Sequence, residues 1–173
     1  MRGAGRGIGG LSPGGSAVRH RERALKNWGT IVALLEKCPV GRMATIDRKG
    51  IPVIKPVNYL YWQGKIYIHS SRKGEKIKDI RRGSPVCFEI DQSVAYVAAR
   101  EAACGADYYY RSIIIKGKAA FVNQRARKTD LLRRLMEKYQ PEGGCGPIRN
   151  EILQKTALIE ISVDEITGKE KLG

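Results

Sequence analysis

The stretch Ile66–Ile80, IYIHSSRKGEKIKDI, gathers two hydroxyls, a glycine and three lysines into fifteen residues. Backbone amides at the start of a helix after Gly74, the hydroxyls of Ser70 and Ser71, and an ammonium such as Lys76 are the groups that hold a phosphate. That is the chemistry of an anion socket. The same residues also describe a basic surface turn leading into a short helix, and on their own they leave both readings open. His69 stands immediately before the hydroxyls, where an imidazole could exchange a proton near neutral pH. Metal chemistry is not expected. The four cysteines, Cys38, Cys87, Cys104 and Cys145, form no CxxC pair, and only His20 and His69 could add imidazole ligands. The thiols read as free in a reducing compartment.

One further motif has to be set aside. Gly5, Gly7 and Gly10 spell GxGxxG, but no strand precedes them and no βαβ unit surrounds them, so the phosphate-cradling turn of a dinucleotide fold is not expected there. The opening residues 1–18 are glycine-rich and nearly without large apolar groups, and cannot offset the entropy of ordering. They read as part of a disordered Gly/Arg-rich tail over 1–20, followed by a single domain over 21–173.

The elements that must position the socket follow from periodicity. Asn27 or Thr30 can cap a helix carrying Ile31, Val32, Leu34 and Leu35 and ending near Cys38, before Pro39. Strands are expected at Val40–Ile46, over one extended run from Ile51 to Trp62, and at Lys65–Ser70, joined by turns at Asp47–Gly50 and Gln63–Gly64 as an antiparallel meander. A short basic helix over 74–82 turns Ile77 and Ile80 inward, and strands follow at Pro85–Asp91 and Tyr108–Val122. The latter puts Ile113, Ile115, Ala119 and Phe121 on one face and bends near Gly117. A helix over 126–139 presents Leu131, Leu132, Leu135 and Tyr139 and ends at Pro141–Pro147, and Thr156–Val163 is the last strand. Six strands with interspersed helices imply a mainly β (α+β) fold, an antiparallel barrel with peripheral helices rather than a parallel doubly wound sheet.

Composition narrows the function classes. With 42% hydrophobic and 28% charged residues, the chain has a globular composition. No apolar run approaches the roughly 20 residues of a bilayer span, and no secretory leader is visible, so a cytoplasmic location is expected. The net charge of +15 invites a nucleic-acid or acidic-membrane reading. Residues 1–26, however, hold six cations (Arg2, Arg6, Arg19, Arg21, Arg23 and Lys26) against the single carboxylate of Glu22. The rest is spread over helices and turns, with no recognition helix, finger or stacking motif to make specific nucleic-acid binding the expectation.

The order of these elements resembles the FMN-binding split-barrel family that includes pyridoxamine 5'-phosphate oxidase, and more closely its 5-nitroimidazole resistance (Nim) branch. The resemblance is carried by CPVGRMATIDRKGIPVIKPVNYLYWQGKIYIHSSRKGEKIKDIRRGSPVCFEID at Cys38–Asp91, by YRSIIIKGKAAFV at Tyr110–Val122 and by TALIEISVDEITGK at Thr156–Lys169. It implies a six-stranded Greek-key split barrel and a homodimer with FMN in each interface cleft. It further implies that Lys55, Pro56, Val57 and Asn58 lie along the flavin ring and ribityl chain, that Ser70, Ser71 and Lys76 take the phosphate, and that His69 lies beside the flavin and substrate pocket. Arg111 would salt-bridge at the dimer interface or approach the phosphate. The implied reaction is two-electron transfer from reduced flavin to a small acceptor such as a nitroimidazole. The alternatives are a non-catalytic flavin, haem or F420 module, and a basic nucleic-acid-binding protein. Between Tyr96 and Tyr108 the chain lacks the aromatic that Nim-like chains often carry there, so the resemblance does not specify the acceptor.

Overall fold

The computed structural model describes residues 19–99, 105–144 and 146–173. The 1–18 part of the tail, its GxGxxG, Cys104 and Cys145 lie outside the described residues. Asn27 is the cap of α1, Trp28–Lys37, its Oδ1 accepting the Thr30 amide at 3.0 Å. Ile31, Leu34 and Leu35, spaced i, i+3, i+4, form the buried stripe. Cys38 is extended, as the residue before a proline must tend to be.

Strands β1, Gly41–Ile46, and β2, Pro52–Val57, form an antiparallel hairpin. The turn is held by Asp47, whose Oδ1 accepts the amides of Lys49 (2.7 Å) and Ile51 (2.8 Å), with Gly50 supplying a φ of +81°. The expected single run to Trp62 breaks at Asn58–Tyr59. Beyond the break, β3, Leu60–Trp62, pairs not with β2 but with β4, Lys65–Ser71. The sheet therefore has seven strands rather than six, in the order β2-β1-β5-β6-β7-β4-β3, and the expected three-strand meander is divided between its two edges. Only two residues separate Val57 from Leu60, a reach of about 10 Å. The sheet must curl until its edges nearly meet, which is consistent with a split barrel.

β5, Pro85–Val97, and β6, Asp107–Phe121, form a long hairpin, and β7, Thr156–Lys171, pairs with both β6 and β4. These strands run where expected, β5 and β7 further than expected and β6 one residue earlier. The bend at Gly117 coincides with a bulge against β7, where an added Cβ would lie 1.9 Å from the Ser162 carbonyl. Three further helices, α2 (Glu75–Arg81), α3 (Arg125–Tyr139) and α4 (Asn150–Lys155), pack around the sheet. The main core joins Ile31, Leu35, Ile66, Ile68, Phe88, Ile113, Ile115 and Ile161; a smaller one joins Tyr67 and Leu158 to Leu131, Leu132, Leu135 and Leu153.

Helix α2 is fixed to β1 by a buried polar clamp. Asp79, 1% exposed, accepts from Thr45 Oγ1 at 2.8 Å and from Arg82 Nη2 at 2.9 Å, and Arg82 Nη2 also lies 2.9 Å from the Ile46 carbonyl. A buried carboxylate with both oxygens engaged satisfies the condition for keeping charge in an interior.

Candidate functional site

The clamp holds the first turn of α2 at the seam between β2 and the end of β4. Two ammonium groups and an imidazole, from three elements, converge there. Lys55 of β2 donates from Nζ to Glu75 Oε2 at 2.6 Å. Burial pushes the Lys76 ammonium below the usual lysine range, and Lys55 pushes it further in the same direction. His69 is likewise pushed down, first by partial desolvation and then by Lys76. Glu75 is the carboxylate paired within this group, so positive charge is concentrated in excess of its counter-charge. Such a cluster is relieved by an anion.

The strand alternation sorts the other expected residues. Lys55 and Val57 share the inward side of β2 with Val53, while Pro56 and Asn58 are exposed. The four cannot all present side chains to one ligand. Because β2 is an edge strand, however, its outer main-chain groups have no strand partner, and Pro56 occupies the edge position where a missing amide is tolerated. On β4, Ser71 follows Tyr67 and His69 on one face, and Ser70 follows Ile66 and Ile68 on the other. The Ser71 hydroxyl accepts the Lys73 amide at 3.2 Å. Gly74 opens α2 at φ +117°. With only seven residues α2 has a small dipole, so anion preference here rests chiefly on the Lys55 and Lys76 charges.

Arg111 is not brought to this cluster within one chain. Ser71 is in register with Thr156 and Arg111 with Glu170, at opposite ends of β7. Arg111 Nε donates to Glu170 Oε2 at 3.1 Å, and the side chain lines a cavity of about 310 Å³ with Cys38, Asp91 and Gln92. Lys55, His69, Ser70, Ser71 and Lys76 line none of the three cavities of about 410, 250 and 310 Å³. Sequence reasoning passed over Glu75, whose partner is twenty residues away on another element, and no local pattern signals such a pairing.

A family model described as pyridoxamine 5'-phosphate oxidase matches residues 27–170. The chain belongs to the pyridoxamine 5'-phosphate oxidase family. No curated protein matches the sequence. Among solved structures, the chain is similar to a candidate 5-nitroimidazole antibiotic resistance protein from Bacteroides thetaiotaomicron, at 21% identity, TM-score 0.75, covering 85% of this chain and 86% of that one. It is similar also to the flavocytochrome Anf3 from Azotobacter vinelandii, at 21% identity, TM-score 0.80, with coverage of 92% and 74%. A third is an FAD- and haem-binding protein from Mycobacterium smegmatis, at 19% identity, TM-score 0.80, with coverage of 87% and 74%. At these identities the likeness is one of fold. Among the described residues no helix is long and apolar enough to cross a membrane.

Proposed function

We propose that this member of the family is a flavoprotein that holds FMN at the seam between β2, β4 and α2 and passes two electrons to a small acceptor such as a nitroimidazole. The observation that carries the reading is the convergence of Lys55, His69 and Lys76 on one surface with a single paired carboxylate among them. An anionic tail such as the FMN phosphate suits that surface, and the free edge of β2 offers main-chain donors and acceptors for a flat polar ring. The similar proteins described as binding FAD and haem, or as a candidate nitroimidazole resistance protein, support the same class of ligand and acceptor. Bound FMN would supply two-electron chemistry at its N5.

The chain's own contribution is orientation and proton control. Lys76 and the end of β4 would bind the phosphate, and Glu75 fixes the direction of Lys55. His69 is disfavoured as a cation while Lys76 stands uncompensated; an anion beside Lys76 would offset that repulsion and favour a proton on the imidazole. The site would then gain its proton donor as it gains its ligand.

A second copy of the chain would complete the pocket. Ligand sites normally cover most of a small molecule, and a wall from a second chain would add to the cover that β2, β4 and α2 give. Large apolar side chains stand exposed nearby and on the hairpin arm: Ile51, Ile54, Val94, Tyr96, Tyr108 and Ile114. A homodimer burying these would supply the opposite wall, and there Arg111 could reach the other subunit's site.

The test is the absorption spectrum of the purified protein, with reconstitution. A two-band flavin spectrum and release of FMN are expected. A Soret band would move the reading to haem, and a colourless protein that takes up no flavin would refute it. Turnover of a nitroimidazole by the reduced holoprotein, lost in His69→Ala with FMN still bound, is expected of an enzyme; unaltered turnover would remove His69 from the reaction.

A further inference from the structure

One half-buried amine takes no part in the site just described. Lys138, on the last turn of α3, lines a cavity of about 250 Å³ with Glu36 of α1, Leu60 and Trp62 of β3, and Arg134 and Glu137 of α3. The walls are α1, β3 and α3, whereas the proposed flavin surface belongs to β2, β4 and α2, so the two share no residue.

The Lys138 ammonium is held but not neutralised. Its Nζ donates to the Cys38 carbonyl at 3.0 Å and stands 3.7 Å from the centre of the Tyr59 ring, a neutral acceptor and a neutral face. Among the described residues it makes no other hydrogen bond, so two of its three N–H groups are uncommitted. Among the described residues Lys138, Glu36 and Glu137 also enter no ion pair. Arg134 differs: its guanidinium lies 4.0 Å from the centre of the Trp62 ring and is tied to Asp130 at 2.9 Å, which fixes the indole wall and leaves that charge already paired. Burial pushes Lys138 down to about 8, against the opposing pull of Cys38 and Glu36. A lysine so placed offers a free electron pair near neutral pH, where an ordinary lysine offers almost none.

The surroundings select what that electron pair can take. With two unpaired carboxylates in the lining, a product that turned the nitrogen into an anion would be repelled. A protonated imine keeps the positive charge beside the carboxylates and the Tyr59 face. It also keeps one N–H for the Cys38 carbonyl and replaces the two uncommitted ones by a bond to carbon. Leu60 and Trp62 supply an apolar wall, and a volume below the roughly 300 Å³ at which sites for drug-sized ligands begin suits a single ring or a short chain.

We propose that Lys138 captures a small apolar aldehyde in this cavity as a protonated imine. The ammonium first releases a proton, and the freed electron pair attacks the carbonyl carbon as the C=O π pair moves to oxygen. One nitrogen proton passes to that oxygen. The hydroxyl then takes up a proton, replacing the one released, and leaves as water while the nitrogen pair closes the C=N bond. Ammonium and aldehyde thus become iminium and water, with charge conserved and nothing oxidised or reduced. The inference does not rest on the flavin reading.

Benzaldehyde with sodium cyanoborohydride, which reduces the imine to a stable benzylamine, tests it on the full-length protein, with the adducts located by peptide mass mapping. Labelling of Lys138 about tenfold or more faster than that of the exposed Lys49 is expected, at a rate that saturates with benzaldehyde. Trp62 is exposed at the end of the edge strand β3, so Trp62→Ala removes the wall while keeping the fold and the lysine. It should slow the reaction about threefold or more and abolish saturation. Lys138→Met should lose this adduct and no other; if that variant does not fold, the Trp62→Ala comparison decides. Labelling of Lys138 no faster than Lys49 overturns the proposal. So does a rate strictly proportional to benzaldehyde in the wild type, which describes a reactive lysine without a binding site, and so do unchanged kinetics in Trp62→Ala.

Discussion

Replacing Lys76 by alanine separates a phosphate socket from a merely basic turn. Lys76 is half-buried on the first turn of α2, between Lys55 and His69. A charge-assisted hydrogen bond to a phosphate contributes about 1.5–3 kcal/mol. Removing the ammonium also relieves its desolvation and its repulsion with Lys55, which offsets part of the loss, so the net cost is about 1–3 kcal/mol. At 1.36 kcal/mol per decade, FMN affinity should fall roughly 5- to 150-fold, measured by flavin fluorescence on titration into apoprotein, with Lys76→Arg retaining most of the affinity. A second readout is independent of flavin. The chain has only two histidines, His20 and His69, so the imidazole signals in a proton NMR titration give two curves, with His20 as internal control. In the wild type His69 should titrate below the usual histidine range, and in Lys76→Ala its midpoint should move up, since one of its two depressing influences is gone. An FMN affinity within twofold of wild type, or an unmoved His69 midpoint, would refute the placement of Lys76 in the socket.

Three further outcomes follow from the packing. Asp79→Ala strands the buried Thr45 hydroxyl and leaves Arg82 without its carboxylate; because Arg82 is partly solvated, the cost is about 3 kcal/mol, or a fall of about 6–12 °C in Tm by circular dichroism. A fall below about 2 °C would mean that the clamp does not hold α2. Tyr59→Phe removes a hydroxyl that is buried without a hydrogen-bond partner while keeping the ring 4.9 Å from Phe88 and 3.7 Å from the Lys138 ammonium, so stability should hold or rise by up to about 1 kcal/mol; a loss beyond 1 kcal/mol in urea unfolding would reveal a partner for that hydroxyl. Burial holds Lys138 down at about 8 in the folded chain, below its unfolded value, so the folded state binds fewer protons and stability from this group rises with pH from about 8 toward 10.5. Between pH 7.5 and 9.5, allowing for screening, the gain is about 1–2 kcal/mol; it should vanish in Lys138→Met, and an equal slope in both proteins would place the titration elsewhere.

The parts of the fold legible in the sequence are those that local periodicity decides. Ile66 and Ile68 on β4, Ile113 and Ile115 on β6, and Leu131, Leu132 and Leu135 on α3 alternate or recur as their elements require, and each is buried. The break at Asn58–Tyr59 was hidden, because Val57, Tyr59, Leu60 and Tyr61 are all buried and read as one continuous strand. What divides them is the choice of partner strand, which is non-local. The same cause lengthened β5 and β7: Gln92–Val97 is too short a run to mark a strand by itself and Asp164–Lys171 is largely polar, and both are strands because β6 lies beside them. α4 is too short for periodicity to mark. At the candidate site, His69, Ser70, Ser71 and Lys76 are legible as neighbours because they lie close in sequence, whereas Lys55 and Glu75 meet only through the packing of α2 beside β2.

That hidden break is also what shapes the candidate site. Had Ile51–Trp62 continued as one strand, β2 and β3 would have been a single element and the seam would not exist. Instead the chain crosses from one edge of the sheet to the other in two residues, and Tyr59 pins the crossing. Its ring is fully buried against Phe88, its amide donates to the Tyr139 hydroxyl at 2.9 Å, and that hydroxyl in turn donates to the Pro39 carbonyl at 2.6 Å. The crossing leaves β2 with an unpaired edge and brings Lys55 to Glu75 on α2, while the Asp79 clamp holds α2 from the other side. Two attachments, neither using a residue of the candidate site, thus hold Lys76 near both Lys55 and His69 although each disfavours its charge or is disfavoured by it. Substitutions at Lys76 or His69 should therefore change binding with little change in stability, whereas loss of Tyr59 packing or of the clamp should lower both together.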